Sequence, residues 1–137
     1  MRTDRYECEL TDNVKRFFKN RGFRFQKNEL QFFEYNIDIY CYNRCQEKTI
    51  SVELKVHNWK RAIQQGSIYQ LCSDYVYIAM PEETIRRIDR IKLETKGIGL
   101  ICIYENGRCV ESLKPQISLE LNHNYRDKLI TYLKNRN

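Results

Sequence analysis

The sequence predicts an α/β layered domain, a mixed sheet with helices packed on its faces. Three observations predict it. Strand-like alternation runs through residues 33–42 and 49–56, where apolar and polar side chains change places at every step. Helical periodicity marks residues 5–20, with Tyr6, Leu10, Val14, Phe17 and Phe18 on one stripe. The apolar run Asp74-Tyr-Val-Tyr-Ile-Ala-Met-Pro81 has the composition of a strand covered on both faces.

The elements follow in order. The first helix ends at Arg21-Gly22, with Gly22 leaving it in the left-handed conformation. Phe23 to Gln26 is a short first strand. In residues 33–42, Phe33, Tyr35, Ile37, Ile39 and Cys41 share an apolar face, and Glu34, Asn36 and Asp38 share a polar one. In residues 49–56, Ile50, Val52, Leu54 and Val56 oppose Thr49, Ser51, Glu53 and Lys55. The polar segment Asn43 to Lys48 reads as the turn between these strands. Residues 58–72 form a helix capped by Asn58. Pro81 ends the buried strand and opens a helix, with Glu82 and Glu83 in its first turn, that continues from Thr84 to Lys92. Gly97 to Tyr104 and Arg108 to Leu113 are strands joined at Asn106-Gly107, the second at a sheet edge. Asn122 to Lys134 is a closing helix with Tyr125, Leu129, Ile130 and Leu133 inward.

At 137 residues the chain suits a single domain, 1–137, with its own core. A hydrophobic share of 42% against 31% charged excludes a disordered chain. No stretch approaches the ~20 apolar residues of a membrane helix. Met1-Arg-Thr-Asp-Arg does not read as a secretion signal, so the expectation is a cytoplasmic protein with no membrane partner. A net charge of +6 suits a polyanionic partner. Lys15, Arg16, Lys19, Arg21, Arg24 and Lys27 could contact phosphates, or form the solvated face of the first helix and the strand after it. Six cysteines without a Cys-x-x-Cys pair point to free thiols, with Cys72 and Cys102 as small core residues. Cys41 and Cys45 flank the turn, but no second pair with ligand-like spacing completes a zinc site.

The hairpin carries the chemistry. A turn centred between Cys45 and Gln46 sets Asp38 opposite Glu53, with Cβ atoms about 4.5–5.5 Å apart. Two carboxylates that close repel unless a cation lies between them. A hard ion such as Mg²⁺ takes oxygen ligands and needs only one or two protein carboxylates. Lys55, on the same face, can orient a water or stabilise developing negative charge. Gln65 and Tyr69, spaced i and i+4, share one helical face. Taken singly, each of these is an ordinary strand or helix residue.

Taken together, Asn-Ile-Asp38, Val-Glu53-Leu-Lys55 and Gln65-Gly-Ser-Ile-Tyr69 resemble the PD-(D/E)xK nuclease superfamily, the restriction-endonuclease-like fold. The last piece resembles the Gln-x-x-x-Tyr motif of the RecB-like and Holliday-junction-resolvase-like branches. The run from Val52 to Gln65, followed by Ser73 to Pro81, is similar to small microbial proteins of this superfamily. The resemblance covers roughly residues 7–113, and Asp38 follows Asn-Ile where the motif's name has Pro. It implies a restriction-endonuclease-like core in the order αβββαβ, a mixed sheet flanked by helices, here with an extra C-terminal hairpin and helix. It implies a Mg²⁺-dependent endonuclease, with Mn²⁺ as substitute, hydrolysing DNA that is branched or damaged. The implied metal ligands are Asp38, Glu53 and the Leu54 carbonyl. An acidic residue from the first helix joins them, Glu7 or alternatively Glu9. Lys55 would position the water, and Gln65 and Tyr69 would hold Lys55 or the nucleic acid. A homodimer would suit cleavage of two strands. The alternatives are a non-catalytic nucleic-acid-binding module on the same fold and a protein whose polar hairpin face is an interface.

Overall fold

A computed structural model describes residues 2–136, with side chains for residues 6–135. The elements are α1 (Arg2–Lys19), β1 (Phe25–Phe32), β2 (Tyr35–Asn43), β3 (Lys48–Leu54), α2 (Trp59–Tyr69), β4 (Tyr75–Pro81), α3 (Glu82–Ile85), α4 (Arg90–Lys96), β5 (Gly99–Ile103), β6 (Cys109–Leu113) and α5 (His123–Arg136). The strands form one mixed sheet whose spatial order is the chain order. β1, β2 and β3 are antiparallel, β3, β4 and β5 run parallel, and β6 returns antiparallel. Parallel neighbours need crossovers. Helix α2 supplies the one between β3 and β4, and α3 with α4 the one between β4 and β5.

The sheet is the middle layer. The α1 stripe of Leu10, Val14 and Phe18 packs with Ile39, Ile50, Val52 and Ile101 on one face. Residues of α2, α4 and α5, among them Ile63, Tyr69, Leu93 and Leu133, pack with Tyr40, Ile78 and Leu100 on the other. Double coverage explains why β4 is buried almost throughout and lacks alternation. Among the described residues no helix is long and apolar enough to cross a membrane.

Several sequence expectations hold. The hairpin register is the expected one, with Ile39 opposite Val52 and Cys41 opposite Ile50. Gly22, at φ 95°, closes α1, with the Gly22 N–H on the Lys19 carbonyl and the Phe23 N–H on the Phe18 carbonyl, each at 3.0 Å. Asn106-Gly107 makes the expected turn, with Gly107 at φ 90°. All six cysteines are free, and Cys41, Cys72 and Cys102 are buried.

Other expectations are corrected. The first strand extends over eight residues, Phe25–Phe32, because it pairs along nearly the whole of β2. Residues 33–34 are a tight turn rather than strand, with Phe33 at φ 55°. The helix after Pro81 is two pieces. Asp89 interrupts it by accepting the Lys92 N–H at 3.2 Å, the competition between side chain and backbone that favours Asp at helix starts. Asn58 precedes α2 at φ 53° and makes no side-chain cap. The apolar parity also fails, since Ile37 packs on the α2 face while Ile39 and Cys41 pack on the α1 face. Nor is the polar parity of β3 solvated: Thr49, Ser51 and Glu53 are buried.

One buried ion pair ties three elements together. The Oδ2 atom of Asp74, just before β4, accepts from the Thr49 N–H at 2.8 Å, the Thr49 hydroxyl at 2.9 Å and Arg126 Nε at 2.8 Å. Arg126, on α5, also donates to the Glu47 carbonyl. Removing one partner from a buried ion pair leaves the other charge uncompensated. Asp74→Ala should therefore lower stability by about 3–5 kcal/mol in urea unfolding monitored by far-UV circular dichroism. Gly22→Ala would hold a Cβ at positive φ, with ideal geometry placing it 2.7 Å from Asn43 Nδ2. A loss of about 1–2 kcal/mol, read as a lower thermal midpoint, is expected.

Candidate functional site

Asp38 occupies a break in the sheet. The β1–β2 ladder pairs Asn28 with Ile39 and Leu30 with Ile37 but skips the step between them, where Glu29 sits at φ 51°. The β2–β3 ladder ends at Ile39 and Val52, one step short of Asp38 and Glu53. An irregular step of this kind turns the strand and re-aims its side chains. It accounts for Ile37 and Ile39 facing opposite layers. Past the end of the ladder, the Leu54 N–H donates to Asp38 Oδ2 at 2.7 Å, a charge-assisted bond that fixes the carboxylate.

Glu53 lies deeper, only 2% exposed. Its Oε2 is 3.4 Å from Lys55 Nζ, and its Oε1 has no hydrogen-bond partner. Burial pushes the Glu53 carboxyl up to about 7, with the charge of Asp38 adding and Lys55 opposing. Burial raises Asp38 as well, opposed by the Leu54 N–H and by Lys55. The two acids therefore share a poorly solvated site in which ionising both is costly.

Tyr69 is fully buried, and its hydroxyl donates to the Asn36 carbonyl at 3.0 Å. Burial, and then the charge of Glu53, raise the phenol's pKa. Tyr69 thus braces β2 and the Glu53 carboxyl from below, and its burial keeps it from touching nucleic acid directly. Gln65, one turn earlier on α2, is half-buried with a buried, unpartnered Oε1.

Asp38, Leu54 and Lys55 open into a cleft of about 530 Å³ walled by α1 and β1. Glu7 lines this cleft, and its charge raises Asp38. Glu9 faces a separate groove with Glu82 and Glu83. Sequence reasoning missed Glu29 and Asp12, which also line the cleft. The signal for Glu29 was hidden because the strand reading stopped at Gln26. Among the described residues, four acids, Glu7, Asp12, Glu29 and Asp38, line the cleft with one cation, Lys55. Among the described residues no three His, Cys, Asp or Glu side chains form a ready metal cluster. Asp38 and Glu53 supply two carboxylates, which suffices for an ion that keeps several waters. The unpartnered Glu53 oxygen fits such an ion.

No family model and no curated protein matches this sequence. A solved structure of a protein of unknown function from Silicibacter pomeroyi is similar over 93% of this chain and 82% of that one, with a TM-score of 0.69 and 17% identity. That likeness shows a shared fold. A second solved structure, SfsA from Pyrococcus furiosus in complex with Ca²⁺, matches over 70% of this chain and 54% of that one, with a TM-score of 0.38 and 12% identity.

The raised Glu53 carboxyl has a measurable sign. A carboxyl whose folded pKa exceeds its unfolded value binds its proton more tightly when folded, so stability falls as pH rises between the two. With Glu53 moving from 4.5 to about 7, wild type in EDTA should lose stability relative to Glu53→Gln across that window. The difference should be on the order of 3 kcal/mol and level off above it. Parallel denaturant titrations of the two proteins check this.

Proposed function

We propose that the chain is a Mg²⁺-dependent endonuclease hydrolysing DNA phosphodiester bonds, on a restriction-endonuclease-like core. The element order α1-β1-β2-β3-α2-β4, an antiparallel meander followed by a parallel crossover, supports that core. The observation that carries the activity is the Asp38–Glu53 pair at the end of the β2–β3 ladder, with Lys55 3.4 Å from Glu53 and one Glu53 oxygen unpartnered.

In this reading Asp38, Glu53 and the Leu54 carbonyl would hold the ion, with Glu7 as the acid from α1. The bound ion supplies Lewis acidity and an activated water for in-line attack on phosphorus. The Lys55 ammonium orients that water or stabilises the charge developing on the phosphoryl oxygens. Tyr69 keeps Glu53 and the Asn36 end of β2 in place. The acidic cleft would repel a phosphate backbone without a cation, so the ion serves binding as well as chemistry.

At least one of a labelled panel of four-way junction, flap, duplex and single-strand substrates should be cut with Mg²⁺ or Mn²⁺ and not in EDTA, and the preferred one names the substrate class. Asp38→Ala and Lys55→Ala should each lose at least about 100-fold in rate while staying folded. Activity surviving in both variants would sink the assignment. Salt-sensitive binding without any cleavage would mark a binding module instead. Saturating Mg²⁺ should also raise the thermal midpoint of wild type, by ligand linkage, and not that of Asp38→Ala.

A further inference from the structure

A second cleft, of about 230 Å³, is lined by residues that directly follow the candidate site in the chain. Leu54 and Lys55 line the acidic cleft, and the next two residues, Val56 and His57, line this one with Trp59, Lys60, Met80 and Arg87. Its chemistry is the reverse of its neighbour's. Among the described residues no acid lines it, Lys60 and Arg87 are exposed cations, and His57 is exposed as well. Trp59 is half-buried, packed against the core beneath while still lining the cleft. Lys60 Nζ lies 5.7 Å from the Trp59 ring centroid. No acidic residue occupies the first turn of α2, which begins with Trp59, Lys60 and Arg61.

We propose that this second cleft is a nucleotide subsite, with Trp59 as a stacking platform for one unpaired base and Lys60 and Arg87 holding the adjoining phosphate. The inference rests on the nuclease reading and narrows its substrate class. Aromatic faces bind any base whose π-surface is free, and flanking cations track the backbone. A base inside an intact duplex has both faces covered, and extruding it costs unstacking energy. A subsite that stacks a base near the scissile phosphate therefore selects strands with an unpaired nucleotide there, such as flaps, junction arms, bulges or single strands. The division of charge fits one strand crossing both clefts. The cationic side holds a phosphate directly, and the acidic side accepts its phosphate only with a metal ion.

Trp59 is the single tryptophan of the chain, so its fluorescence reports on this cleft alone. The experiment uses the full-length protein in EDTA, where no cleavage occurs, titrated with a short single-stranded oligonucleotide and with a blunt duplex. Fluorescein-labelled versions give the affinities by anisotropy. The single strand should quench Trp59 and the duplex should not. Trp59→Ala should bind the single strand about 5- to 150-fold more weakly, and Trp59→Phe should recover most of that loss. Because Trp59 packs on the core, Arg87→Glu, at an exposed position, provides an independent variant and should weaken binding at least about 10-fold, with a shallower salt dependence. Saturated binding with unquenched fluorescence, or equal quenching by duplex, would overturn the subsite. So would unchanged affinity in Arg87→Glu together with a folded Trp59→Ala. Quenching without cleavage in the Mg²⁺ assay would retire the nuclease reading and keep the subsite; cleavage without quenching would do the opposite. Failure to bind the single strand in EDTA would overturn the subsite and leave the nuclease reading to the Mg²⁺ cleavage assay.

Discussion

The structure depends most on one residue that its neighbours cannot pair. Asp38 falls where the β1–β2 ladder skips a step and the β2–β3 ladder has run out. A backbone N–H inside a protein must find a partner, and the Leu54 N–H finds the Asp38 carboxylate. The side chain thereby takes up a bonding role that a strand carbonyl fills elsewhere in the sheet. Two results follow from that substitution. The strands splay and open the cleft to α1, and the carboxylate is held rigidly beside a second acid.

The two ends of β3 treat their acids oppositely. At the start, Asp74 is fully answered by Thr49 and Arg126. At the finish, Glu53 has Lys55 at 3.4 Å as its ion-pair partner and one oxygen with no hydrogen-bond partner. Both acids are almost wholly buried. Desolvation costs several kcal/mol per buried ion and is recovered only with good geometry and further hydrogen bonds. The first end meets that condition and stabilises the fold; the second does not, and its imbalance is what a cation would offset.

Much of this was legible in the residues. The hairpin register followed from alternation and a polar turn, because a one-residue slip would have moved every side chain to the wrong layer. The end of α1 followed from Gly22, and the central strand from an unbroken apolar run. The break at Asp38 was not legible. It arises from a left-handed Glu29 on the neighbouring strand, and Glu is not a residue whose type announces that conformation. The burial of Thr49, Ser51 and Glu53 was also hidden, because it comes from tertiary packing that strand alternation does not report. Arg126, which answers Asp74, lies 52 residues away from it. Local periodicity carries no information about such partners.

The strictly sequential order of the strands has a kinetic consequence. Every ladder joins neighbours in the chain, but only the three antiparallel pairings close short loops, while the two parallel ones wait on their helical crossovers. The β2–β3 hairpin is a local pairing and sets Asp38 and Glu53 in register before the residues of α2 and α5 have been synthesised. Charge repulsion is thus present at an early stage, and the Arg126 clamp closes only when the last helix arrives. A nascent chain on the ribosome would hold the assembled carboxylate pair for many residues of synthesis before the clamp locks the sheet beneath it.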